Sequence, residues 1–183
     1  MNTTHSLGRI GIIGNGSWGT ALAKILTDNG NHLTWWLRNE DAVAHLKARH
    51  HNPNYLTSVY FAPEIIAPTT DLNALFEACD TIVFAVPSAY AMDVLQKISA
   101  AQWQGKNIIS AIKGVLPEAN ALLCDYLQQQ FGFDLKNYVA ITGPCHAEEV
   151  ASERLSYLTF SGLDEELAAS CATSFANRYI HTS

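Results

Sequence analysis

The stretch Arg9–Ala23, RIGIIGNGSWGTALA, decides how the chain is read. Ile10, Ile12 and Ile13 form an apolar, β-branched run that stops at Gly14, Gly16 and Gly19, followed by Thr20, Ala21, Leu22 and Ala23. This order predicts a strand, a tight turn and a helix start. In the G-x-G-x-x-G spacing, Gly14 makes the turn, Gly16 lets a pyrophosphate touch the backbone, and Gly19 lets the helix lie close to the strand. The free amides and positive dipole end of the helix then receive the anion. A glycine triplet alone matches many chains by chance. Here a buried-type strand precedes it and an amphipathic helix follows, which favours a dinucleotide loop over a bland turn.

With 183 residues, one sizeable α/β domain accounts for the length. A net charge of -6 argues against a nucleic-acid partner or an anionic membrane surface, both of which need a basic field. An anionic ligand therefore has to be held by local features. Cys79, Cys124, Cys145 and Cys171 are scattered, with no C-x-x-C pair and no zinc-like His spacing, so no metal is expected. Nothing at the N-terminus resembles a leader, and the reading is a reduced, cytoplasmic protein. His50 and His51, followed by Asn52 and Pro53, read as a polar loop. The apolar runs fall far short of the ~20 residues that cross a bilayer, which excludes membrane insertion.

Strand and helix signals alternate along the chain. The first helix should run to about Asn29, with Ser17 or Gly16 as its cap, and end at Asn29-Gly30-Asn31. A strand over His32–Leu37, a helix over about Asp41–Arg49, and an irregular crossing with a short strand near Ile65 and Ile66 come next. Then follow helices over Asp71–Ala78 and Ser88–Ser99 around a strand over Thr81–Val86, whose near-continuous apolarity suits the interior of a parallel sheet. Asn107–Ala111 predicts a strand, Pro117 to about Gln130 a helix, and Tyr138–Thr142 a strand. Ala147–Ser152 should be helical, Leu155–Phe160 a strand, Asp164–Phe175 a helix and Arg178–His181 a last strand. The fold class predicted is α/β: a Rossmann-type doubly wound, mostly parallel sheet with helices on both faces.

In such sheets ligands gather at the carboxyl ends of the strands, here the loops after Ile13, Leu37, Val86, Ala111 and Thr142. In the first, Ser17 can bond a phosphate and Trp18 can flank a nucleotide, against readings as a cap and as packing. The second lacks the acidic residue that an NAD site places on the ribose diol, and has Arg38 instead. A guanidinium suits a 2′-phosphate and so favours NADP over NAD; the alternative is a surface arginine answering Glu40 or Asp41. Lys113, beside Gly114, places a cation at the mouth of the sheet for a substrate oxygen or phosphate, against a solvated loop lysine. Gly143-Pro144-Cys145-His146-Ala147-Glu148-Glu149 turns from strand to helix against the same crevice. Cys145 and His146 are adjacent in sequence, a poor geometry for a nucleophile pair. Glu148 and Glu149 read as dipole partners of a first helical turn rather than as a base. Asn52 to Leu56 is either a flap over the ligand or a turn with Tyr55 packed inward.

GNGSWGTALA at Gly14–Ala23, WLR ending at Arg38, NPNYL at Asn52–Leu56, FAVPS at Phe84–Ser88, AIKG at Ala111–Gly114 and GPCHAEEVA at Gly143–Ala151 occur in this order. As a set they resemble the bacterial NAD(P)-dependent glycerol-3-phosphate dehydrogenases over almost the whole chain. The resemblance implies hydride transfer between NAD(P)H and a small phosphorylated substrate, interconverting dihydroxyacetone phosphate and sn-glycerol 3-phosphate for phospholipid synthesis. It implies cofactor contacts from Gly14, Gly16, Ser17, Trp18, Gly19, Arg38, Lys113 and Ala147. Substrate contacts are implied from Lys113, which would touch both ligands, and from Gly143, with Cys145 and His146 standing where the family has serine or threonine followed by an aromatic. It further implies that residues 1–183 are the NAD(P)-binding Rossmann domain. The family's all-helical second domain, which carries the catalytic lysine, would then lie outside this chain and leave it little activity alone. A homodimer is compatible with the full-length protein. The alternatives are a stand-alone dinucleotide-binding module without turnover and another two-domain 2-hydroxy-acid dehydrogenase.

Overall fold

The computed structural model describes residues 6–183; residues 1–5, where a leader would begin, lie outside the described residues. The elements are β1 (Ile10–Ile13), α1 (Ser17–Asp28), β2 (Leu33–Trp36), α2 (Glu40–Arg49), β3 (Ile66–Thr69), α3 (Leu72–Ala78), β4 (Thr81–Phe84) and α4 (Ser88–Leu95). They continue as β5 (Asn107–Ser110), α5 (Leu123–Phe131), β6 (Tyr138–Thr142), α6 (Ala147–Ala151), β7 (Ser156–Gly162), α7 (Glu165–Phe175) and β8 (Ile180–Thr182). One sheet holds all the strands in the order β3-β2-β1-β4-β5-β6-β7-β8. From β3 to β6 every pairing is parallel; β7 turns antiparallel to β6, and β8 runs parallel to β7. This is the doubly wound α/β sheet that the alternation predicts.

Successive side chains on a strand point to opposite faces, so neighbouring residues belong to different cores. Ile12, Val83 and Ile109 enter one core with residues of α1, α2, α6 and α7. Ile13, Phe84 and Ile108 enter the other, with α3, α4, α5 and Trp103, whose ring lies among Phe76, Phe84, Phe131 and Phe133. Both faces being covered explains why these strands are apolar throughout. Helix α1 is buried along Gly19–Thr27, packed on the sheet and against α6 and α7. Side chains of Asn39, Asp71 and Asp164 cap α2, α3 and α7 by accepting backbone N–H bonds, each replacing a donor's lost intrahelical partner.

The main departures from the sequence reading are at the helices expected from Ser88 and from Pro117, while the strand near Ile65 and the cap of α1 are sharpened. The strand near Ile65 begins at Ile66 and runs through Pro68, which an edge strand accommodates. The helix from Ser88 stops at Leu95 and is followed by a separate 3-10 turn at Ala100–Trp103. Pro117 does not start a helix. Leu116 and Ala121 pair across a turn in which Asn120 has φ +47°, a left-handed geometry that no helix interior accepts, so α5 begins only at Leu123. Of the two caps the sequence offers for α1, Gly16 is the one used, and no side chain caps that end.

The buried Lys24 of α1 donates to Asp28 Oδ2 at 2.5 Å and Glu153 Oε1 at 3.2 Å, while Tyr179 OH donates to Asp28 at 2.6 Å. Burial opposes the Lys24 charge, but the bonds to Asp28 and Glu153 outweigh it and hold the ammonium above its ordinary value. Burial also pushes Cys171 up from 9.0, and Tyr179, with help from Asp28, up from 10.0, each to about 12. The unfolded chain ionises these groups first, so this stability is fully present below about pH 9 and is lost as pH rises toward 12. Urea unfolding midpoints should be flat from pH 7 to 9 and fall above that. Tyr179→Phe should cost about 1 kcal/mol at pH 7 and flatten the alkaline limb.

Candidate functional site

Because β4 lies on the far side of β1 from β2, the connections leave the carboxyl end of the sheet in opposite directions between β1 and β4. A crevice opens at that switch point. A cavity of about 600 Å³ occupies it, with Gly14, Gly16, Arg38, Tyr55, Pro87 and Tyr90 on its walls.

The three glycines have three different surroundings. Gly14 has φ +114°, and a Cβ there would sit 2.7 Å from the Ala85 carbonyl oxygen. A Cβ on Gly19 would collide with the Gly14 carbonyl oxygen, so α1 approaches β1 as closely as backbone permits. Gly16 has ordinary φ −71° and nothing within 4 Å of its Cβ position. No acidic residue occupies the first turn of α1. The first amides of α1 have no intrahelical acceptor, so a pyrophosphate fits this open, electropositive cradle.

The carbonyl oxygens of the same loop are all engaged. Trp35 Nε1 donates to Gly14 O at 2.9 Å, Asn52 Nδ2 to Asn15 O at 2.8 Å, and Thr20 Oγ1 to Gly16 O at 2.9 Å. Trp35, Asn52 and Thr20 are each 0% exposed. Sequence reasoning gave Trp35 and Thr20 no ligand role, and placed Asn52 only within a stretch read as a flap over the ligand or a turn. The signals available were the NPNYL stretch itself and the polarity of Asn52 in a segment otherwise anchored by Val59 and Phe61. Tyr55 is not packed inward: it is 45% exposed and stands on the cavity wall.

At the far end of the cavity the Arg38 guanidinium lies 6.0 Å from the Tyr90 ring, with Asp93 and Lys97 nearby on the same wall. It does not answer Glu40 or Asp41: the salt bridges among the described residues leave it out, and Glu40 instead accepts from Thr70 Oγ1. On the other side of α1, Lys113 Nζ is 5.9 Å from the Trp18 ring. Burial raises the Cys145 thiol above its ordinary value, while the nearby Lys113 charge pulls it down; the net effect keeps a neutral thiol. Cys145 is 6% exposed and its side chain packs in the core on the α1 side. His146 is exposed at the N-cap of α6, and its N–H donates to Glu149 Oε2 at 3.3 Å, so Glu149 caps the helix. A Cβ on Gly143 would collide with the Tyr157 carbonyl oxygen, which holds β6 and β7 close; Ala147, the first residue of α6, is buried. Ser17 is half-buried at the first position of α1. Among the described residues, no group of His, Cys, Asp and Glu is arranged to hold a metal ion.

A doubly wound sheet with a glycine loop, an uncapped helix N-terminus and a crevice at the switch point defines a dinucleotide-binding domain of the oxidoreductase type. Residues 9–168 match the family described as "NAD-dependent glycerol-3-phosphate dehydrogenase N-terminus", and the chain belongs to that family. NAD or NADP is the cofactor that membership assigns. The glycerol-3-phosphate dehydrogenase [NAD(P)+] of Latilactobacillus sakei is 32% identical over 93% of this chain and 51% of its own length. That of Ectopseudomonas mendocina is 35% identical over 86% of this chain and 45% of its own. The solved glycerol-3-phosphate dehydrogenase of Coxiella burnetii superposes with a TM-score of 0.84 at 25% identity, over 96% of this chain and 53% of that one. The chain thus spans about half the length of the curated relatives it matches.

The glycines should separate on substitution. Gly14→Ala and Gly19→Ala should each lower stability by about 1–3 kcal/mol, through strain and backbone collision. Gly16→Ala should change stability by less than about 0.5 kcal/mol yet weaken NADH and NADPH binding, because its methyl enters the anion's space. Chemical denaturation with cofactor titration by fluorescence would read both effects.

Proposed function

We propose that the whole protein interconverts dihydroxyacetone phosphate and sn-glycerol 3-phosphate, and that residues 1–183 form its NAD(P)-binding Rossmann domain. The observation that carries this reading is the cradle at Gly16, open and free of acids, in a chain whose family is the N-terminal part of that dehydrogenase. When bound, NAD(P)H supplies the hydride. The amides of Gly16 to Gly19 hold the pyrophosphate, and Ser17 adds a hydroxyl donor. Trp18 flanks the nicotinamide side, where Lys113 comes within 5.9 Å of its ring. Lys113 contributes a point charge to a substrate oxygen or phosphate, Gly143 a backbone contact, and Ala147 the floor beneath the cofactor. His146 is the exposed member of the pair at Cys145 and His146, and it takes the polar role that the buried thiol cannot.

Arg38 is free of an acidic partner in its own loop, which supports a 2′-phosphate contact and hence NADP over NAD. A substrate-holding wall opposite this crevice, supplied by a second domain, completes the reaction. The partner is a small phosphorylated molecule rather than nucleic acid, in keeping with the net charge of -6. The four cysteines are free, which suits a reduced, cytoplasmic setting. No helix among the described residues is long and apolar enough to cross a membrane.

Dihydroxyacetone phosphate reduction, followed by NADPH absorbance, should be weak for residues 1–183 and strong when the chain is extended by the sequence its gene encodes downstream. Full activity of the short chain would overturn the second wall; an inactive extended chain would overturn the substrate. Arg38→Ala should weaken NADPH binding by about tenfold or more, the loss of a charge-assisted bond, and leave NADH within about twofold. Equal loss for both cofactors would remove the 2′-phosphate role. Lys113→Ala in the extended chain should lower kcat/KM by about a hundredfold, read by steady-state kinetics.

A further inference from the structure

The direction of the phosphate loop is set from outside the loop. In a trans peptide the C=O and the next N–H point to opposite sides, and no peptide bond among the described residues is cis. Trp35, Asn52 and Thr20 draw the carbonyl oxygens of Gly14, Asn15 and Gly16 inward, so the N–H groups of Asn15, Gly16 and Ser17 face away from these buried donors. Gly16 O is held as well by the backbone N–H of Thr20 at 2.9 Å, whereas without Trp35 and Asn52 the Gly14 and Asn15 carbonyl oxygens are free to turn outward, where they repel a phosphate.

Asn52 holds a special place among the three. Its Nδ2 donates to Asn15 O and to Thr20 Oγ1, both at 2.8 Å, and Thr20 passes the interaction on to Gly16 O. Its Oδ1 accepts from Asn54 N at 2.9 Å and Tyr55 N at 3.1 Å, which fixes the backbone of Tyr55, a residue that lines the same cavity. Two donors and two acceptor sites are all that a side-chain amide possesses, and each is used in a residue that is 0% exposed. An aspartate there would face Asn15 O with a carboxylate and has no donor for it.

We propose that Asn52 is the positioning residue of the dinucleotide site, turning the phosphate-loop amides toward the anion and tying them to the Tyr55 wall through one buried amide. The proposal rests on the dinucleotide reading. It makes the two ends of the site coupled: Asn52 bonds directly to the loop and to the wall, whereas Thr20 bonds to the loop and reaches the wall only through Asn52.

The test uses Asn52→Ala, Asn52→Asp, Thr20→Val and Thr20→Ser in the 183-residue chain, with NADH, NADPH and adenosine as probes titrated by calorimetry. Circular dichroism and thermal midpoints select the folded variants, and titrations are done well below each midpoint. Asn52→Ala and Asn52→Asp should weaken both dinucleotides by at least about tenfold and weaken adenosine as well. Thr20→Val should weaken the dinucleotides and leave adenosine within about twofold, while Thr20→Ser, which keeps the hydroxyl, restores dinucleotide binding. A purely structural role lowers the thermal midpoint without this split between probes. If Asn52→Ala does not fold, Asn52→Asp and the Thr20 pair carry the comparison. Folded Asn52 variants that bind NADH and NADPH like the parent chain would overturn the proposal while leaving the dinucleotide reading intact. A parent chain that binds neither cofactor would overturn both.

Discussion

Helix α1 lies where it does because Gly19 has no side chain. Its backbone rests on the Gly14 carbonyl, a contact that any Cβ would prevent. From that approach follows the burial of α1 along Gly19–Thr27, and with it the packing of α6 and α7 against the same helix. The buried stretch includes Lys24, and a buried ammonium demands compensation, found in Asp28 and Glu153. The ties from Glu153 to Arg178 and from Asp28 to Tyr179 then secure the end of the chain to its beginning. A single missing methyl thus reaches, through packing and then charge, to the last strand.

The fold was legible in the sequence because its strands are buried on both faces. Ile12 and Ile13, or Ile82, Val83 and Phe84, have to be apolar regardless of which way they point, and such runs stand out. What failed to show were endings that depend on distant partners. Pro117 has the local credentials of a helix start, but the pairing of Leu116 with Ala121 and the left-handed Asn120 delay the helix. Pro68 looks like a strand breaker until the sheet order puts it on an edge.

At the site, the residues readable in advance were those whose type is unusual for their place: the glycines, Arg38 and Lys113. For Cys145 and His146, adjacency in sequence says nothing about which side chain faces inward; in the fold Cys145 is the buried one and His146 the exposed one. Trp35 and Thr20, and the bonds Asn52 makes within its flap-or-turn stretch, were invisible for the opposite reason. Each has an ordinary residue type for its local structure, and its polar atom matters only through a long-range bond to the loop. The carbonyl side of a phosphate loop leaves no motif of its own, since any donor at the right point in space suffices.

The proline in β3 bears on a different property of the molecule. An outermost strand offers its free N–H and C=O groups to any other extended chain, and long regular edges invite association. Here the β3 edge is four residues long and contains Pro68, which has no N–H to give. Along that margin the sheet is therefore a poor template for another extended chain.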